Sequence, residues 1–227
     1  MANRSTFFRR TAAALGASML LVGGAAPAAS ASPSLDVIEQ ANVYDTVRNI
    51  VNQPGVPEDV RNGINRALDF LTGEGDSEPG FEVPENAPRT NQFLIPTVAD
   101  KCIRGESRSF GLATAVPGPA PLPLPGVPAD QLGFVFTGLG TSGVAPQQNT
   151  SVKVHWVNAA NAKFGTTELG YTGVNPEGPG TVNGVANTGK GVVVAFLEGG
   201  FTANEETGPA DCNYTPTAGV FPVGLGI

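Results

Sequence analysis

The sequence predicts a mainly β fold, an Ig-like β-sandwich preceded by a two-helix segment, with a small β-barrel as the alternative. Three observations point there. From Gln92 onward, short runs rich in Val, Thr and Phe alternate with Gly- and Pro-marked turns. Cys102 and Cys212 bracket that region. Before it, apolar residues recur at helical rather than strand spacing. Gly and Pro, 30 and 20 of 227 residues, make up about 22% of the chain. That stays below the roughly 25–30% of low-complexity disorder, so the composition suits a turn-rich domain with a real core.

Residues 1–31 read as an export leader. Arg4, Arg9 and Arg10 form a basic start, the stretch 11–24 is apolar, and Ala29-Ser30-Ala31 is a small-x-small cleavage site. The apolar run is shorter than the ~20 residues of a membrane span. Cleavage after Ala31 makes Ser32 the first mature residue and leaves no stable transmembrane anchor. Arg9-Arg10 also fits a twin-arginine route beside the general secretory one.

Residues 32–73 form a helical hairpin. Ser34 suits a cap, and Val37, Ala41, Tyr44, Val47 and Val51 make one stripe. Asn52-Gln53-Pro54-Gly55 stops this helix. Pro57 then opens a second, with Glu58 and Asp59 at its positive end and Val60, Ile64, Ala67, Leu68 and Leu71 on one face. Gly73 is its expected stop. Two such helices need a further surface to bury their stripes, either the β-domain or a partner protein. Residues 74–91, with five acids and three prolines, read as an extended tether.

The region 92–227 holds the sandwich. Expected strands cover Ser107–Val116, Gly133–Leu139, Ser151–Asn158, Lys163–Tyr171, Thr181–Ala186, Gly191–Glu198 and Asn213–Phe221. Val152, Val154 and Trp156 alternate with Lys153 and His155, so His155 is expected at the surface. The segment 191–197 is apolar on both faces and should be central. Gly199-Gly200 reads as the turn that ends it. The stretch 116–128, with its repeated prolines, reads as a polyproline-type excursion.

Charge and cysteines exclude several roles. The mature chain keeps ten basic and twenty acidic residues, a net charge of −10. That disfavours nucleic acid as a partner. An even cysteine count in an exported chain predicts one disulfide, Cys102–Cys212, closing a loop of about 110 residues. A metal or redox site has no CxxC and only one histidine to draw on. No cofactor is implied.

Catalytic signals are sparse. His155 has no G-x-S-x-G nucleophile elbow to serve. The β-region carboxylates Glu168, Glu177, Glu198, Glu205, Glu206 and Asp211 would work as a hydrolytic pair only if two faced one cleft. No catalytic or metal residue is assigned. Leu122, Leu124 and Val127 on the proline arm, together with Trp156, are the candidates for touching a partner or apolar ligand.

The Ala-rich leader, the Pro/Gly-rich β-domain, Cys102-Ile103-Arg104-Gly105 and the run Gly173-Val174-Asn175-Pro176-Glu177-Gly178-Pro179-Gly180 carry a resemblance. Over residues 92–227 the chain resembles a group of uncharacterised exported proteins of mycolate-bearing actinobacteria. The resemblance implies a cell-envelope setting and no particular reaction. The expected role is a non-enzymatic exported cell-envelope protein that binds a protein or other envelope partner. A carrier of lipid or a small apolar ligand and a carboxylate-pair hydrolase are the alternatives.

Overall fold

The computed structural model describes residues 37–74 and 92–225, with side chains from residue 42. The expected leader, its cleavage site and nearly all of the expected tether lie outside the described residues. Two helices, α1 (Val37–Val51) and α2 (Glu58–Thr72), precede eight strands. These are β1 (Thr97–Ile103), β2 (Ser107–Pro117), β3 (Leu132–Leu139), β4 (Val152–Asn158), β5 (Phe164–Leu169), β6 (Thr181–Ala186), β7 (Gly191–Glu205) and β8 (Gly208–Val223).

The strands form two antiparallel sheets rather than a closed barrel. Sheet 1 has the order β1-β2-β3-β6 and sheet 2 the order β5-β4-β7-β8. The chain crosses between sheets after β3, β5 and β6. With β1 set aside, this is the Greek-key path of an Ig-like sandwich. Trp156 on β4 lies in its core, 7% exposed. The Cys102–Cys212 disulfide joins β1 to β8, the edge strands of the two sheets, and so closes one side of the sandwich. A Gly170–Asn183 bridge ties the opposite side.

Aromatic rings fill the inter-sheet core. Phe93, Phe134 and Phe221 cluster at one end, and Phe136, Phe201 and Tyr214 at the other, in tilted, edge and stacked arrangements. Their bulk dictates an unusual pattern on β2. Its inward positions are the small residues Ser109, Gly111, Ala113 and Ala115, all buried. A Cβ on Gly111 would lie 2.4 Å from Phe136 Cζ. The large residues Phe110 and Leu112 therefore take the outward positions, opposite to what hydrophobicity alone suggests.

The helices form a third layer on the outer face of sheet 2. Val47, Val51, Val60, Ile64 and Leu68 pack with Val157, Val194, Phe196 and Ala218 in one buried cluster. Both helices and all eight strands belong to one compact unit. This explains the two-sided apolar run on β7: Val193, Ala195 and Leu197 face the sandwich core, while Val194 and Phe196 face the helices. Gly73 ends α2 in a left-handed conformation, φ 74°. Arg61 fastens the inter-helix turn by donating to the carbonyls of Val51 and Val56 at 3.2 and 3.1 Å.

Three details differ from the sequence expectations. Strand β1 was not anticipated, because Asp100 and Lys101 interrupt its apolar alternation. Gly199-Gly200 does not end β7; register shifts there, a bulge absorbs the glycines, and β7 and β8 continue as a long hairpin to Glu205–Gly208. The proline arm is not an extended polyproline excursion. It doubles back, with Ala120 and Val127 exchanging backbone hydrogen bonds of 2.9 and 2.8 Å.

Candidate functional site

Three polar or exposed features bear on function. The first lies between α2 and sheet 2. Adjacent strands β5, β4 and β7 bring Thr166, His155 and Glu198 together beneath the helix. His155 Nε2 faces Glu198 Oε1 at 3.1 Å, and Nδ1 faces Thr166 Oγ1 at 2.9 Å. Thr166 Oγ1 also lies 3.2 Å from Asp59 Oδ2 of α2. Arg66 of α2 pairs with the second Glu198 oxygen and lies over the Phe196 ring. Burial would raise the Glu198 carboxyl pKa. Hydrogen bonds from His155 and Arg66, with the Arg66 charge, outweigh that and hold it below the usual value.

The sequence placed His155 at the surface, on the sheet face away from Trp156. The face is right, but α2 covers it: the His155 side chain is 3% exposed. Gly63 of α2 lies directly over the imidazole, where a Cβ would come within 2.6 Å of Cδ2. Both ring nitrogens already have partners within the protein, and the array fastens helix to sheet.

The second feature is a cleft of about 300 Å³ lined by Ser142, Gly143, Val144, Pro176, Glu177, Asn204 and Glu206. Glu177 and Glu206 thus face one opening. Glu206 is 80% exposed and paired with Arg104 at 3.4 Å. Glu205 next to it points inward and is 6% exposed. It accepts the backbone N–H of Ser142 at 2.8 Å and that of Arg104 at 3.0 Å, which pins the cleft wall to the β1–β2 turn. Among the remaining expected carboxylates, Asp211 accepts hydrogen bonds from Thr202 and Asn149. Glu168 lines a separate crevice of about 120 Å³ that reaches Val152, Leu169, Val182 and Phe201. No group of three or more His, Cys, Asp or Glu among the described residues has the geometry to hold a metal ion.

The third feature is the outer face of sheet 1. Phe110, Leu112 and Leu139 stand on it, 52%, 39% and 46% exposed. Phe110 pairs with Leu139 and Leu112 with Thr137 across β2 and β3. Thr114, Val116, Val135 and, from β1, Val98 extend the same face; all four are half-buried. The face is bounded on the β6 side by the segment after β5, where Thr172 and Asn175 hydrogen-bond Asn183 and Thr181. At its far end the proline arm folds over Gly133, whose missing side chain makes room for Val127 and Pro123.

The expected contact residues separate accordingly. Val127 is 3% exposed and anchors the arm; Leu122 and Leu124, 62% and 50% exposed, project from it. Trp156 is a core residue whose Nε1 donates to Thr167 Oγ1 at 3.0 Å, so it shares no surface with the arm. Phe110, Leu112 and Leu139 escaped sequence reasoning. The signal was present in the alternation of small and large residues along 109–116, which reads correctly only when the small side is placed inward.

No helix among the described residues is long and apolar enough to cross a membrane. Compared with family models, characterised proteins and solved structures, the chain matches none.

Proposed function

We propose that this is a non-enzymatic exported protein of the cell envelope that holds a protein partner on the outer face of sheet 1. One observation carries the reading. The apolar outer face of sheet 2 is sealed by α1 and α2, whereas among the described residues nothing covers Phe110, Leu112 and Leu139. A contiguous apolar patch on the order of several hundred Å² in an otherwise soluble domain marks an interaction surface. The export leader and the disulfide support the location.

The test is a photo-reactive residue in place of Leu112 in the native host, with Asn62 on the exposed side of α2 as the control position. Adducts at 112 that are absent at 62 support docking through this face. Equal or no adducts at both positions remove it.

A second reading, a carboxylate-pair hydrolase, is favoured by Glu177 and Glu206 facing one cleft. It predicts that Glu177→Gln and Glu206→Gln each abolish release of soluble sugar from envelope polysaccharide. Unchanged release by the variants, or no release by the parent protein, rejects it. The apolar-carrier reading draws little support, since the crevice of about 120 Å³ is well below the roughly 300–1,000 Å³ of ligand pockets.

A further inference from the structure

We infer that the occupant of the sheet 1 face is a second copy of this chain, in an antiparallel two-fold dimer that packs sheet against sheet. The inference rests on the docking reading above and names its partner.

Charge sets the first condition. The full chain carries a formal net charge of −7, and −10 without residues 1–31, so two copies repel at long range. They can meet closely only through a patch that carries no uncompensated charge. The outward residues from 110 to 116 and from 133 to 139 include none. The charges at its margin, Arg108 and Asp100, are already paired with each other at 2.7 Å. A charged protein or an anionic lipid surface finds no complementary pattern on this face.

Shape sets the second. The arm occupies the Gly133 end of the face, with Val127 and Pro123 seated over Gly133 and Leu122 and Leu124 exposed, whereas Phe110 and Leu139 at the other end stand exposed. A two-fold axis along the strands would drive the two arms into each other. A two-fold axis across the strands, lying in the interface, sets the arm end of each copy over the Phe110–Leu139 end of the other. Leu122 and Leu124 then cover Phe110 and Leu139 of the second copy, and β2 crosses its own counterpart near residues 112–114. The contact is isologous and closes at two copies.

Area sets the strength. Three strands about 4.8 Å apart and seven residues of about 3.4 Å span roughly 340 Å² of flat sheet per copy. Side-chain relief and the arm raise the accessible area buried by both copies to roughly 1,000–1,200 Å². That lies at the lower limit for specific association, so dissociation in the micromolar range or weaker is expected.

The experiment uses the exported, disulfide-intact protein in sedimentation equilibrium over about 1–200 μM. The expected result is a mass rising towards twice the monomer value, and a monomer throughout for Leu112→Glu and, separately, for Thr137→Lys. Both positions are outward, and far-UV circular dichroism and melting check that each variant is folded. In a second arm, Leu112→Cys should form a covalent dimer under mild oxidation while Asn62→Cys does not. A parent protein that stays monomeric at all concentrations overturns the inference, as does a dimer that either charged variant leaves intact. Photo-adducts at position 112 with a different protein, combined with a monomeric parent, overturn the second copy alone and leave the docking reading standing. A monomeric parent without position-specific adducts removes both.

Discussion

Replacing Gly63 with Ala should destabilise the protein, although the same change in an exposed helix interior stabilises by about 1 kcal/mol. The new Cβ would lie 2.6, 2.8 and 3.1 Å from three side-chain carbons of His155. The imidazole has nowhere to retreat. It is 3% exposed, and its two nitrogens are held by Glu198 and Thr166. Relief requires either lifting α2 or breaking one ring hydrogen bond. Overpacking of this kind costs about 1–3 kcal/mol, and a buried hydrogen bond lost to a charged group about 1.5–3. Set against the helix gain, either route leaves a net loss of up to about 2 kcal/mol, or a melting temperature lower by up to roughly 8 °C in a domain of this size. Thermal and urea melts give the value directly. A double-mutant cycle adds specificity: with His155→Ala as background, Gly63→Ala should lose its penalty and approach the ordinary helix gain. A Gly63→Ala protein that melts at or above the parent, or a penalty unchanged in the His155→Ala background, refutes the tight helix–sheet contact.

Other consequences are measurable on the same preparation. Glu198 titrates below its ordinary value in the folded state, so its contribution is present above the unfolded carboxyl range near 4.5 and is lost as pH falls through the folded value. Glu198→Gln should therefore flatten the acid limb of a stability–pH curve, and an unaltered limb would show that the cluster carries no such linkage. Tyr214 is the opposite case: burial raises its phenol to about 12 despite the hydrogen bond with Ser109. Its contribution is complete below pH 10 and is lost between about 10 and 12. Ultraviolet titration should show a late tyrosine step, and Tyr214→Phe should remove it. Reduction of the Cys102–Cys212 bond, which closes a 110-residue separation, should cost about 4–5 kcal/mol in a urea melt on the chain-entropy argument. A midpoint unaffected by reductant would count against it.

The contrast between β4 and β2 shows how much of the fold was legible in the sequence. On β4 the alternation of Val152, Val154 and Trp156 with Lys153 and His155 gave both faces correctly, because large apolar residues point inward there. On β2 the rule inverts, since the rings of Phe134, Phe136 and Tyr214 from other strands already occupy the core and leave space only for Ser, Gly and Ala. That competition is between residues far apart in sequence, and no local pattern reports it. The cysteine pairing was legible from count and position, while its placement at the sheet edges was not. The burial of His155 was likewise hidden, because it depends on α2 arriving from about ninety residues upstream. Its one local trace is Gly63, an otherwise unfavourable residue in mid-helix whose reason is the ring beneath it. The two-sided apolar run at 191–197 did announce a covered outer face, and the helices supply the cover.

That cover decides what should happen when the helices are removed. Every strand and both cysteines lie downstream of the acidic segment, so the sequence by itself is compatible with a β-domain that folds without residues 34–73 if the helices serve a partner. The packing argues otherwise. Deletion bares Val157, Val194, Phe196 and Ala218 on the central strands of sheet 2 and its edge, and half-uncovers Phe164 and Val220. It also strips Glu198 of Arg66 and opens His155 to water. At about 25 cal/mol per Å² and several hundred Å² of apolar surface, the loss is on the order of 5–10 kcal/mol. That equals much of the roughly 5–15 kcal/mol that keeps a domain folded. The truncated chain should therefore be recovered aggregated or with a strongly lowered melting point and strong binding of a hydrophobic dye. Milder variants separate loss of the layer from loss of chain: Ile64→Asp and Leu68→Asp in the intact protein should produce the same dye binding. A truncated domain that melts like the parent and binds no dye would show that α1 and α2 contribute little to the fold. They would then return as candidates for partner binding, in place of the open face of sheet 1.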